Sequence, residues 1–231
     1  MFMFDMVLPV TLSVNMLNVL FLILGVAPSV IIIALVANKN RHLYMDIAAV
    51  FLCGAVSVFA AGRLENWIKA QWQPNGAMEM VAYYFLVVGL IEEICKWASY
   101  KIIIRHDDVE HRYEYIIFTV AAACGFAALE NVLYLRSMDI GVAFIRALCS
   151  VPCHAIDCVV MGAIISKSHY CYKKSDRALY NILGIAGAAI MHGLYDSVIV
   201  VTNSWICIFA FEAVAVIIAG FLIARVKYIK R

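Results

Sequence analysis

Several carboxylates, imidazoles and cations stand at helical spacing inside strongly apolar stretches of the chain. In Ile91-Glu92-Glu93-Ile94-Cys95-Lys96 the lysine is i+4 from Glu92 and i+3 from Glu93, so it can reach both on one helical face. Adjacent carboxylates in a low-dielectric setting resist double ionisation, and a nearby cation offsets that repulsion. Such an arrangement tunes a general base or acid. In His192-Gly193-Leu194-Tyr195-Asp196 the aspartate is i+4 from the histidine and can fix its tautomer. Asp157 stands i+3 from His154 for the same task. Arg146 is i+8 from His154, on roughly the same face, where it can anchor a carboxylate or polarise a carbonyl. With Glu130, these types support proton transfer, activation of water, or ligation of a divalent cation.

The elements that must position them follow from composition. Of 231 residues, 65% are hydrophobic and 15% charged, and the mean hydropathy is +0.90. Soluble chains carry about 25% charged residues, so 18 Lys and Arg with 16 Asp and Glu cannot cover this much apolar surface in water. Disorder, a secreted disulfide scaffold and nucleic-acid binding are excluded, and the lipid bilayer is the solvent. A crossing helix needs about 20 mostly apolar residues. Seven stretches qualify, near 16–37, 46–62, 77–100, 114–135, 138–165, 178–201 and 205–226. The expected fold is an all-α polytopic transmembrane helix bundle, one integral-membrane domain over residues 1–231. Residues 1–15 form an interfacial helix or extend the first span. The N-terminus lacks the basic region of a cleavable signal, its first charge being Asp5.

Lys and Arg in the loops set the orientation. With the N-terminus outside, the inner segments hold Lys39, Arg41, Lys101, Arg105, Arg112, Lys167, Lys173, Lys174, Arg177, Arg225, Lys227, Lys230 and Arg231; the outer ones hold only Arg63, Lys69 and Arg136. This bias predicts N-out and C-in in the plasma membrane. Trp67, Trp72, Tyr134 and Trp205 mark the outer interface, and Trp97, Tyr100, Tyr113, Tyr172 and Tyr228 the inner. The stretch Arg63 to Trp72 alternates polar and apolar residues at helical spacing, which predicts that it lies along the outer interface. There is no internal repeat and no long loop to carry a soluble domain. The eight cysteines show no CxxC pair and read as apolar packing residues. His169 and Cys171 read as solvated loop residues.

Eight charged residues fall deep inside spans: Glu92, Glu93, Lys96, Glu130, Arg146, Asp157, Asp196 and Glu212. Uncompensated, they would cost on the order of 20 kcal/mol on insertion scales, so they must meet one another or line a wet cavity. At 1.5 Å per residue, Glu92, Glu130, His154 and His192 lie at nearly the same depth on four consecutive spans. Their convergence predicts one functional layer near the midplane. Glu212 has no obvious partner and reads as structural.

Glu92-Glu93-x-x-Lys96, Phe126-x-x-x-Glu130-Asn131, Arg146 followed by His154, and His192-x-x-x-Asp196 together resemble the ordered motifs of PrsW-type membrane proteases. That group is related to the CAAX prenyl endopeptidases and their bacterial homologues. The resemblance covers the motif-bearing core, about residues 77–201. It implies intramembrane hydrolysis of a peptide bond in a single-span membrane protein, an anti-sigma factor cut on its extracytoplasmic side, which leads to sigma-factor activation in a stress response. CAAX-type relatives carry FxxxH and a terminal Asn where this chain has Glu130 and Asp196, which speaks against prenyl-protein processing.

Two mechanisms fit. In one, Glu130, His154 and His192 hold Zn²⁺ with an open position, Glu92 or Glu93 is the base, and Lys96 or Arg146 steadies the oxyanion. Asp196, Asp157 and Asn131 then support the ligands. In the other there is no metal: Glu92 activates water with help from Glu130 or His154, and His192 and Asp196 stabilise the oxyanion. Two other classes compete. A midplane polar cluster also suits a proton- or divalent-cation-coupled transporter, but repeats and paired interrupted helices are missing. A non-catalytic sensor or immunity protein would not need so costly a polar set.

Overall fold

A π-helical turn interrupts two of the helices that carry the motif residues, one just before Glu92 and one beginning at Arg146. The computed structural model describes residues 16–134 and 144–228. In chain order the helices are α1 (Met16–Lys39), α2 (Tyr44–Gln71), α3 (Ala77–Tyr83), α4 (Leu90–Ile103), α5 (Glu114–Tyr134), α6 (Val151–Ile165), α7 (Lys174–Thr202) and α8 (Trp205–Tyr228). The π-helical stretches are Tyr84–Gly89, joining α3 to α4, and Arg146–Ser150, leading into α6. There is no strand among the described residues.

The all-α polytopic bundle expected from composition is what forms. Six helical stretches are long and apolar enough to cross a membrane among the described residues. The predicted span 77–100 is built from α3, the π stretch and α4; its Glu92, Glu93 and Lys96 make it less apolar than the rest. Residues 1–15, the outer Arg136 and the start of the predicted 138–165 span lie outside the described residues.

α5 sits at the centre, with α1, α2, α4 and α6 packed around it; α7 packs on α6 and α4, and α8 on α6 and α7. Seventeen residues of α5 are buried, which fits a helix that is apolar nearly all round. Lipid offers no hydrophobic drive for helix association, so close backbone approach through small residues takes its place. A Cβ at Gly125 would collide with the Phe51 carbonyl, and one at Gly54 with Ala122. These two glycines let α2 and α5 cross in contact. The outward surface is apolar, with Leu35, Leu52, Val56, Ile206 and Ile217 all more than half exposed.

The stretch from Arg63 that is expected along the outer interface continues α2 without a break as far as Gln71. At 1.5 Å per residue the 28 residues of α2 reach about 42 Å, longer than the hydrocarbon is thick. The polar alternation in this stretch is turned the other way. Leu64 and Trp67 face outward, and Glu65 is buried where it lines an internal cavity.

Candidate active site

The π stretch Tyr84–Gly89 leads directly into the first turns of α4, which present Glu92, Glu93 and Lys96 inward. π-helical turns recur at functional sites because they break the regular register and re-aim the side chains that follow. Lys96 is the hub. Its Nζ donates to Glu93 Oε1 at 2.6 Å, to Glu92 Oε2 at 3.3 Å and to His154 Nδ1 at 2.8 Å. All three ammonium protons are thereby used, and the cation also lies 4.7 Å from the centre of the Phe126 ring. The i+3 and i+4 spacing read from the sequence is realised in these contacts.

Accepting from Lys96 fixes the tautomer of His154. With Nδ1 as acceptor, Nε2 carries the proton and donates to Glu130 Oε2 at 3.0 Å. Arg146 reaches the same oxygen at 2.9 Å through Nη2, and its Nε donates to Asn131 Oδ1 at 2.7 Å. Asn131 in turn donates to the Gly25 carbonyl of α1 at 3.4 Å. Arg146 starts the second π stretch, so its regular i+8 relation to His154 does not apply; the two meet through Glu130.

His192 lies on the other side of the hub, its ring centre 5.1 Å from that of His154. Its Nδ1 is 3.0 Å from Glu93 Oε1 and 3.7 Å from Asp157 Oδ2. Its Nε2 faces Asp196 Oδ2 at 3.5 Å and Glu92 Oε2 at 3.7 Å. Asp196 is therefore beside His192, as the i+4 spacing requires, but Glu93 holds the closer position. Asp157 does not orient His154. The i+3 offset turns it from the α5 side of α6 to the α7 side, where it meets His192, and Glu130 orients His154 instead.

All ten residues expected to form the site thus converge, and Glu92, Glu93, Lys96, Glu130, Asn131, His154, Asp157 and His192 are buried. Beside them is a cavity of about 370 Å³ that extends to the ends of α2, α7 and α8 at Lys69, Asn203 and Trp205. Glu92, Glu130, Arg146, His154, Asp157, His192 and Asp196 line it; Glu93 and Lys96 stand behind that wall. Sequence reasoning missed Glu65. It is buried, it lines the cavity, and its Oε1 has no hydrogen-bond partner. The available signal was a carboxylate between Leu64 and Asn66, just past the predicted end of the second span. Two cysteines read as packing also touch the site: Cys158 Sγ lies 3.6 Å from Glu93 Oε2 and Cys153 Sγ 3.9 Å from Asp157 Oδ2. Glu212, read as structural, is buried on α8 with both oxygens unpartnered.

The donor set suits a divalent cation. Glu93, His154, Asp157 and His192 each offer a ligand atom within 4.8 Å of the others, and so do Glu92, Glu130 and His154. His154 belongs to both groups, which divide Glu130 from His192. Six carboxylates gather at the site (Glu65, Glu92, Glu93, Glu130, Asp157 and Asp196), with Lys96 and Arg146 paired to three of them and Lys69 at the cavity's end. Asp157 Oδ1, buried beside His192, has no hydrogen-bond partner and is available as a ligand atom.

A polytopic helical bundle that buries two imidazoles among carboxylates beside a cavity has the make-up of an intramembrane hydrolase. The profile of the PrsW family of intramembrane metalloproteases matches residues 41–224, and the chain belongs to that family. It is a multi-pass membrane protease. It is 29% identical over 187 residues to Protease PrsW of Bacillus subtilis (strain 168), covering 79% of this chain and 84% of that protein. With Protease PrsW of Geobacillus kaustophilus (strain HTA426) the identity is 30% over 185 residues, 78% and 80% of the two chains. With Protease PrsW of Clostridioides difficile (strain 630) it is 27% over 191 residues, 79% and 80%. No solved structure matches the chain at a significant level.

Proposed function

We propose that this protease makes the first, extracytoplasmic-side cut in a single-span anti-sigma factor, with Glu92 as the general base. The observation that carries the assignment of the base is exposure to the cavity: of the adjacent pair, Glu92 lines it and Glu93 does not. Glu92 takes a proton from a water molecule, the oxygen attacks the scissile carbonyl carbon, and the carboxyl then delivers that proton to the departing amine. Arg146 also lines the cavity and is the oxyanion donor on this reading. Lys96, fully buried, neutralises the Glu92/Glu93 pair and holds its geometry.

The metal of this family is on this reading Zn²⁺, which His154 and His192 would hold with Glu93 and Asp157, the four-residue group, His154 Nδ1 exchanging its bond from Lys96 for the metal. When bound, it polarises the carbonyl and acidifies water. Glu130, tied to Arg146 and His154, orients His154. The smaller group of Glu92, Glu130 and His154 supports the alternative in which Glu130 is a ligand. The cavity runs toward Lys69 and Trp205, at helix ends that the charge bias places outside the cell, which supports cleavage on that side.

The test is co-expression with the single-span anti-sigma factor of the same genome, followed by immunoblot. Wild type is expected to produce a shortened, membrane-retained fragment, and E92Q none. An intact anti-sigma factor in the presence of active, membrane-inserted protease would overturn the substrate assignment. Full cleavage by E92Q would overturn the role of the base.

A further inference from the structure

On the side of α5 and α6 turned away from the active site is a second cavity, an apolar slot of about 580 Å³ between α1 and α8. Its floor is Ile117 and Val120 of α5 with Ile156 and Val159 of α6; Ile32 and Ile223 belong to its walls. At one end it becomes polar, where Lys39 and Asn40 close α1 and Tyr113 precedes α5. The volume is that of a ligand site, for which about 300–1,000 Å³ is usual.

The shape selects among occupants. The four floor residues are only 5–7% exposed, whereas Leu35 on the slot's rim is 62% exposed. An opening that admitted a helix, about 10 Å across, would leave its floor open, so a single extended chain is what fits. The charge selects the head group. Lys39 is exposed and has no ion pair among the described residues, and neither does Arg225, two positions beyond Ile223 on α8. Both belong to the side that the charge bias places inside the cell, where the leaflet supplies anionic lipid.

We propose that this slot binds an acyl chain of an anionic phospholipid from the inner leaflet, with its phosphate on Lys39. The inference is independent of the anti-sigma-factor reading. Because the floor helices carry Glu130 and His154 on their other faces, the bound chain braces the scaffold of the active site from behind.

The test is native mass spectrometry of the full-length protein released from nanodiscs of equal phosphatidylglycerol and phosphatidylcholine. Wild type is expected to retain one phosphatidylglycerol per chain. K39E should lower that retention about tenfold, since the local attraction is reversed, while K39R preserves it. V159F, or V120F from the α5 side, fills the slot and should lose both lipids. Lys39 is exposed, so an unchanged melting curve for K39E separates lost binding from lost fold. Equal phosphatidylglycerol retention by K39E and wild type would overturn the proposal, as would a lipid-free wild type. So would a photo-crosslinker at Leu35 that captures a protein helix instead of phospholipid.

Discussion

The carboxylates of the central layer and the one on α8 are buried to similar degrees but live under different rules. Glu92, Glu93 and Glu130 each meet a lysine or arginine nitrogen within 3.3 Å, and Glu93 and Glu130 each meet an imidazole as well. Glu212 has neither, and both its oxygens lack a partner. Burial alone therefore does not mark a functional carboxylate in a membrane. A partnered carboxylate has a fixed position and charge, and chemistry needs both. Glu65 is intermediate: it faces the cavity but keeps one oxygen free.

E92Q removes the proposed base and should reduce cleavage of a single-span substrate by about 10²–10⁴-fold, the usual contribution of such a group; gel-based cleavage in proteoliposomes measures it. R146A removes the proposed oxyanion donor and the partner of Glu130, with an expected loss of about 10²–10³-fold. The conservative R146K should recover only part, because the fork that reaches Glu130 and Asn131 together is lost. K96M strands two carboxylates without their cation and should destabilise the fold by about 3–5 kcal/mol, read as unfolding in mild detergent with increasing denaturant.

Metal content sharpens the division of labour within the layer. E93Q and H192A are expected to lose metal measured by mass spectrometry of purified protein, while E130Q retains it and loses cleavage. The reverse result would make Glu130 the ligand. At the weak end, E212L should leave cleavage unchanged and stabilise the protein by about 1–3 kcal/mol, the typical cost of a buried unsatisfied polar group. A loss of cleavage in E212L would erase the distinction between the two kinds of carboxylate.

Much of the layer was legible because helix geometry is local. The i+3 and i+4 contacts of Lys96 with its glutamates are properties of one helix, and equal depth on four spans follows from residue count alone. Partner choice between helices was not legible in the same way. That Asp157 meets His192, and that Glu130 orients His154, depends on how α6 is rotated against α5 and α7. The π stretch at Arg146–Ser150 altered the regular 3.6-residue arithmetic that the i+8 relation assumed. Glu65 was hidden for a related reason: a polar residue in an outer turn reads as facing bulk water, whereas this one faces an internal cavity.

By itself the amino-acid sequence determined the solvent, the class of fold and the set of ten residues that meet. Those depend on hydropathy, span length and spacing along single helices, which act without reference to other elements. Tertiary structure decided which of two adjacent glutamates faces the cavity, which carboxylate serves which histidine, and where an apolar slot opens on the opposite face. Each of these depends on the rotation and separation of packed helices, and packing is a property of pairs of surfaces that no single stretch of chain encodes.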